Sequence, residues 1–290
     1  MTPKISVVIP VFNQAALLKK ALESLKRQTF KDFEIIVIDD CSKDNSSEVA
    51  RAYTQKVFKN IENKGPARTR NIGISNSEGE IIAFTDSDCD VNEDWLEEIV
   101  KTFQNKDIQV SVGNTTIPPS GYIGDSISTL GHPGGGTMGF DKMWKVDKNG
   151  FATNISSCNL AIRKSTLEKY SGFDETFPLA AGEELELSQR YKNLGVKIKY
   201  NSKQKVNHIP RKSLKSFWQW QIYRGRGNYY IKKKFKDVHP FIKNKIWSSK
   251  NIIKKNICNN KLPMILILLS LSFVLQQIGY IIEKRKKHKN

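Results

Sequence analysis

Asp86 and Asp88 stand one residue apart in Phe84-Thr-Asp-Ser-Asp88, directly after the apolar run Ile81-Ile-Ala-Phe84. Such a run reads as a buried strand, and the aspartates fall in the turn at its carboxyl end. Two carboxylates placed there can hold a divalent cation together with the ribose of a nucleotide. Oxygen ligands suit Mg2+ or Mn2+, ions that readily share their coordination with diphosphate oxygens. The same residues would also serve as a solvated acidic turn or a helix cap, since Asn92-Glu-Asp-Trp95 follows. The two readings differ in whether other strands deliver polar ends to the same place.

The elements around this pair alternate. Residues 5–9 form a continuous apolar run closed by Pro10 and read as a central parallel strand. Residues 15–28 carry Leu17, Leu18, Ala21, Leu22 and Leu25 at helical spacing, and 33–38 give a second strand ending in Asp39-Asp40. Ser46 or Ser47 can cap a helix running to Tyr53, and residues 56–58 suit a short third strand. Gly65-Pro66 opens a helix to residue 74, with proline in a favoured first-turn place. Residues 81–84 are the fourth strand and 94–103 a further helix. This alternation predicts an α/β fold, a Rossmann-like mixed sheet with helices on both faces, whose ligands bind at the carboxyl ends of the strands. Three strands end in polar residues, at Val11-Phe12-Asn13, Asp39-Asp40 and Asp86-Ser87-Asp88, so all three should meet in one crevice.

Residues 113–150 fit no periodicity, with Gly113-Asn114, Pro118-Pro119 and Gly131-His-Pro-Gly-Gly-Gly136, and read as a functional loop or lid, or as a surface insertion. Beyond them, 157–162 reads as an edge strand, 182–190 as the start of a helix and 196–200 as a strand. Residues 214–231 can form a helix rich in aromatics, suited to a membrane interface, to a core or to a sugar platform.

Charge separates the chain into unlike parts. Of 47 Lys or Arg and 29 Asp or Glu, residues 197–261 hold 19 basic residues and one acid, Asp237. Residues 1–196 carry a net charge of −4 within a total of +18. A basic arm can bind nucleic acid or anionic lipid. Residues 262–282 contain no charged side chain and are long enough for a helix that spans a hydrocarbon core. Lipid is therefore the expected partner of the arm, and no nucleic acid is expected. Cys41, Cys89, Cys158 and Cys258 show no metal or disulfide spacing and suggest reduced thiols. The first apolar run is too short for a signal peptide.

In combination and order these pieces resemble the family 2 glycosyltransferases, with the GT-A fold, over roughly residues 4–210. The resemblance rests on Ser6-Val-Val-Ile-Pro-Val-Phe-Asn13, Phe33-Glu-Ile-Ile-Val-Ile-Asp-Asp40, Asn63-Lys-Gly-Pro-Ala-Arg68-Thr-Arg-Asn71, Thr85-Asp-Ser-Asp88, Gly172-Phe-Asp-Glu175 and Gly182-Glu-Glu184. It implies a glycosyltransferase domain over residues 1–210. That domain comprises a nucleotide-sugar half (1–112), the irregular 113–150 and an acceptor half (151–210). A basic aromatic arm (211–261), a membrane segment (262–282) and a basic tail (283–290) follow. It also implies an inverting, metal-dependent enzyme with Mn2+ or Mg2+ as cofactor. A nucleotide sugar, expected to be UDP-linked, would be the donor, and a glycan or lipid-linked saccharide the acceptor.

Residue by residue, the resemblance places Pro10, Phe12, Asn13, Asp40, Lys64, Gly65, Arg68, Asp86 and Ser87 around the donor. It places Asp88, His208 and Asp86 on the metal. Glu184 stands where the family usually has an aspartate as general base, with Glu183 and Glu186 as rivals. The same carboxylate would also be stabilised as a simple first-turn residue of its helix. Gln221-x-x-Arg224 resembles a motif of processive synthases, but Gly225 replaces its tryptophan. A nucleotidyltransferase and a non-catalytic basic membrane or nucleic-acid-binding protein are the alternatives. Absence of a glycine-rich loop near residue 10 disfavours the first. Cytosolic nucleotide sugars imply a catalytic domain on the cytoplasmic side. Residues 262–282 would then either span the membrane or insert in the inner leaflet.

Overall fold

The computed structural model describes residues 2–131 and 134–287; His132 and Pro133 of the glycine-rich stretch and 288–290 of the basic tail lie outside the described residues. The first half runs β1 (Ile5–Val11), α1 (Ala15–Lys26), β2 (Phe33–Asp39), α2 (Ser46–Arg51), β3 (Val57–Lys59), α3 (Pro66–Ser75), β4 (Ile81–Phe84), β5 (Cys89–Val91) and α4 (Trp95–Phe103). The second runs β6 (Val110–Thr116), α5 (Gly121–Thr129), α6 (Phe140–Met143), β7 (Leu160–Arg163), α7 (Lys164–Tyr170), α8 (Glu183–Asn193), β8 (Ile198–His208), α9 (Leu214–Lys234), α10 (His239–Lys255) and α11 (Leu262–Lys287). Among the described residues the strands form one mixed sheet in the order β3-β2-β1-β4-β7-β6-β8-β5. β1 to β4 are mutually parallel, β7 is antiparallel to β4 and β6, β8 is parallel to β6, and β5 is antiparallel to β8.

Alternation along β1 supplies both cores. Ile5, Val7 and Ile9 pack with Leu18, Leu22, Trp95 and Ile99 on one face. Val8 packs with Ile36, Ile38, Phe84, Leu187 and Tyr191 on the other. Each such buried side chain stabilises the fold by about 1.5–3 kcal/mol. β1 does not stop at Pro10, as the sequence suggests, but continues to Val11. The Val8 carbonyl faces β4, accepting from Thr85, so Pro10 faces the same side, where β4 has already ended at Phe84. Its missing N–H is therefore not needed there.

Other expectations need correction. Neither Ser46 nor Ser47 caps α2, whose N-cap is Asn45; Ser46 bonds to Asp44 and Ser47 to Asp39. Residues 113–150 are not wholly irregular, since β6 runs to Thr116 and α5 and α6 follow. Gly113 is there for closeness, because a Cβ would lie 2.1 Å from the Gln204 carbonyl oxygen. The strand near 160 is no edge strand: β7 lies between β4 and β6. β8 is much longer than expected and reaches His208.

A third core joins α5, α9, α10 and α11 through Ile127, Leu130, Phe217, Ile252, Ile265, Leu268 and Leu275. α11 is long and apolar enough to cross a membrane, yet it is docked along α9. A Cβ on Gly225 would lie 2.1 Å from the Gln276 carbonyl oxygen, and one on Gly279 would lie 2.1 Å from that of Ile222. The inner face of α11 mixes polar with apolar side chains, and its outer face is apolar. Ser272, Gln276 and Glu283 point inward, while Leu266, Ile267, Phe273, Val274, Ile278, Ile281 and Ile282 are exposed.

Candidate active site

The carboxyl ends of β1, β2 and β4 meet α8 and the end of β8 around a cavity of about 970 Å³. Pro10, Phe12, Asp40, Asp86, Ser87 and Asp88 line it from the strand ends, with Gly65, Glu183, Glu184 and His208 opposite.

The β5–β8 ladder closes the sequence gap between Asp88 and His208 by pairing Cys89 with His208. His208 Nε2 then lies 3.3 Å from Asp88 Oδ1, and Nδ1 lies 2.9 Å from the Ile209 carbonyl oxygen. A carbonyl only accepts, so Nδ1 carries the proton and a neutral ring turns its Nε2 lone pair toward an aspartate oxygen. Two acceptors facing each other call for a cation or a proton between them. Burial pushes the Asp88 carboxyl above its ordinary value, reinforced by Asp86 and opposed by His208 only when that ring is protonated. The Cys89 sulfur lies within 4.8 Å of both ligand atoms. Burial and the neighbouring Cys158 push that thiol well above its ordinary value and keep it neutral. The ready donors are thus one carboxylate and one imidazole.

Asp86 does not join them. Its Oδ1 accepts from Arg70 Nη2 at 2.9 Å, and Arg70 Nη1 lies 3.4 Å from Glu183 Oε1. Arg70, 4% exposed, so links the end of β4 to the start of α8. Burial opposes the Arg70 charge, but Asp86, Glu183 and Glu184 together hold its pKa up. Glu183 is 5% exposed and its Oε2 has no hydrogen-bond partner among the described residues. Burial, and then the charge of Glu184, pushes its carboxyl up to about 7 against the pull of Arg70. Glu184 is held differently. Its Oε1 accepts from the Ser157 N–H at 2.6 Å and the Ser157 hydroxyl at 2.5 Å, from the single 3-10 turn before β7. Lying in the first turn of α8, it also meets the positive end of the helix dipole. Glu186, the third carboxylate there, is fully buried and paired with Arg190 at 2.9 Å.

Asp40 clamps the loop ahead of α3. Oδ1 accepts from Asn60 Nδ2 at 2.7 Å and Lys64 N at 2.9 Å, and Oδ2 accepts from Gly65 N at 2.9 Å. Three of its four lone-pair sites are taken, which leaves one for a ligand. Gly65 has φ +81°, and a Cβ there would lie 2.7 Å from the Pro178 carbonyl oxygen. Phe12 is 48% exposed over the cavity, and Ser87 bonds to Gln14.

Three expected donor residues do not reach the cavity. Asn13, at φ 52°, ties two strand-end loops together by accepting from Lys43 N at 2.7 Å and donating to Ser42 Oγ at 2.9 Å. The Lys64 ammonium pairs with Glu62. Arg68 faces outward, 3.8 Å from Glu175. Two residues along a helix turn it by about 200°, so Arg70 is the inward arginine that the sequence reading passed over. The buried stripe Ala67, Arg70 and Gly73 on α3 is the signal that could have found it. Ser157 and the far wall built by Trp220, Gln221, Arg224 and Gln276 were also missed as a set.

The profile of glycosyl transferase family 2 matches residues 6–170, more than half of the chain. Glycosyltransferase AglE of Haloferax volcanii is 27% identical over 207 residues, covering 68% of this chain and 64% of that one. The GalNAc(5)-diNAcBac-PP-undecaprenol beta-1,3-glucosyltransferase of Campylobacter jejuni is 30% identical over 182 residues, covering 60% and 56%. Among solved structures, the mannosyltransferase PcManGT from Pyrobaculum calidifontis, in complex with GDP-Man and Mn2+, superposes with a TM-score of 0.58. That match covers 98% of this chain and 84% of that one at 15% identity. The chain spans 15% to 64% of the length of the curated relatives it matches. It belongs to glycosyl transferase family 2 and has the GT-A fold.

Proposed function

We propose that the chain transfers a sugar from a nucleotide sugar, with a UDP-sugar as the expected donor, to a hydroxyl of a glycan or lipid-linked saccharide, with inversion. The observation that carries this reading is the His208–Asp88 acceptor pair opening on the same cavity as Glu183 and Glu184. Asp88 and His208 would hold the metal. A carboxylate with an imidazole nitrogen fits Mn2+ better than Mg2+, which favours oxygen ligands. When bound, the ion supplies Lewis-acid stabilisation of the departing nucleoside diphosphate. Phe12 packs near the base, and the open lone pair of Asp40 accepts from it. Arg70 fixes Asp86 beside the ribose.

Glu184, oriented by Ser157, takes the proton of the acceptor hydroxyl. That oxygen attacks the anomeric carbon, and the carbon–oxygen bond to the diphosphate breaks on the opposite side. Glu183 serves as the buried partner of Arg70. A panel of nucleotide sugars with Mn2+ tests this. Slow release of nucleoside diphosphate from one donor, suppressed by EDTA, is expected; no metal-dependent turnover or binding across the panel would sink the reading.

In this reading residues 1–210 form the transferase core, and α9, α10 and α11 form a membrane-facing layer on its far side, with the core cytoplasmic. The docking of α11 along α9 and its outward apolar face favour insertion in one leaflet over a free span. Truncation after residue 261 should release the protein from membranes, apart from residual binding that high salt removes. A tag after Asn290 accessible only from the cytoplasmic side is expected; accessibility from the other side would restore the span.

A further inference from the structure

The cavity does not end at the strand ends. It continues between α9, α10 and α11, where Arg211, Arg224 and Lys245 line it. The Arg211 and Arg224 guanidinium carbons lie 4.9 and 5.1 Å from the centroid of the Trp220 ring. Lys245 Nζ donates to Gln276 Oε1 at 2.8 Å and lies 4.1 Å from the Phe273 ring centroid.

Among the described residues none of the three has a carboxylate at ion-pair distance, whereas Arg70, Arg190 and Arg226 each do. Arg211 Nε is buried without a hydrogen-bond partner among the described residues. Burial, and after it the charge of Arg224, pushes the Lys245 amine down to about 8. Burial pulls Arg224 down to about 10, with Glu184 opposing and Arg211 reinforcing. Glu184 and Asp88 act on Arg224 and Arg211 only from beyond ion-pair distance, so these like charges gathered in a low-dielectric cleft repel one another, and a bound anion lowers that cost. The mouth next to them is apolar. Ile242 and Ile246 of α10 and Phe273 of α11 line it and are about half exposed, continuous with the outward face of α11.

We propose that Arg211, Arg224 and Lys245 bind the phosphate or diphosphate of the acceptor, and that an apolar chain leaves this group between α10 and α11. The acceptor class is then a saccharide carried on a polyprenyl phosphate. The inference rests on the sugar-transfer reading and adds to it a second anion subsite, separate from that of the donor.

The test uses the full chain in detergent, with geranylgeranyl diphosphate, inorganic pyrophosphate, geranylgeraniol and phosphatidylglycerol vesicles as probes and UDP with Mn2+ as the donor-side control. Geranylgeranyl diphosphate should bind at least about tenfold more tightly than pyrophosphate or geranylgeraniol, since only it offers both the anion and the chain. Lys245→Gln and Arg211→Gln should each weaken it by about tenfold, a loss well above any they cause in UDP binding. Arg224→Gln should do the same, and Lys245→Gln carries the test if that variant misfolds. An equal loss for UDP assigns the cations to the donor and overturns the proposal. Equal competition by phosphatidylglycerol at matched phosphate assigns them to a membrane headgroup and also overturns it. Failure of wild-type protein to bind UDP, with the prenyl ester still bound, counts against the donor reading and leaves the anion subsite standing.

Discussion

The end of β4 and the start of α8 each turn two carboxylates to the cavity, and Arg70 divides both pairs in the same way. At β4 it takes Asp86 and leaves Asp88 to face His208; at α8 it takes Glu183 and leaves Glu184 to face Ser157. The freed members then differ in what meets them. Asp88 faces a lone pair, an arrangement completed by a cation. Glu184 faces an N–H and a hydroxyl, which hold one oxygen and aim the other. In the proposed mechanism one arginine would thus separate metal holding from proton transfer, and the neighbours of the free carboxylates, more than the carboxylates themselves, would set the two chemistries.

The largest effect should come from breaking the first arm. Asp88→Ala is expected to abolish Mn2+-dependent binding of the nucleotide, measured by calorimetry with and without EDTA; retained binding would move the metal elsewhere. Breaking the second arm should instead spare binding. Glu184→Gln keeps the shape and removes the proton acceptor, so kcat should fall by about 10²–10⁴ with donor affinity near wild type. A wild-type rate would hand the base role to Glu183.

Removing the divider comes next. Arg70→Met leaves Glu183 buried and Asp86 partly buried without a counter-charge and should cost about 3–5 kcal/mol in urea unfolding. Adding Glu183→Gln to that variant should recover part of the loss, and no recovery would mean that the two carboxylates are not coupled through Arg70. The smallest effect concerns pH. The Glu183 carboxyl is held at about 7 in the folded chain, above its ordinary value of 4.5, so the folded state binds its proton more tightly. Wild type should lose stability relative to Glu183→Gln as pH rises through that window, by about 3 kcal/mol at most. A difference that stays flat from pH 5 to pH 8 would show that Glu183 is not buried as described.

The strand ends were legible because apolar runs that stop abruptly at Asp40 and Asp86 leave little choice of sheet face or end. The division of labour was not. Arg68 and Arg70 are indistinguishable by spacing until the packing of Gly73, whose Cβ would lie 2.3 Å from Val8 Cγ1, fixes which face of α3 is inward. β6 was hidden because Gly113-Asn114 imitates a turn, although the glycine serves a close crossing with β8. β5 was hidden by its brevity, and with it the ladder that carries His208 to Asp88. Of the far-wall cations only Arg224 falls in a motif, Gln221-x-x-Arg224; the set was not legible because its members come from three separate segments whose meeting depends on helix packing alone.

The contact of α9 with α11 through Gly225 and Gly279 has a practical consequence. Gln276, Phe273 and Tyr280 of α11 line the same cavity as the carboxylates, so the part proposed to meet lipid is also a wall of the proposed reaction chamber. Trimming the chain at residue 261 to obtain a water-soluble catalyst should therefore yield an opened vessel, and lost turnover in such a fragment would say nothing about a need for membranes. Genetic variation at Ser272, Gln276 or Gly279 should behave as active-site variation, although by position it would be taken for a neutral change in a tail.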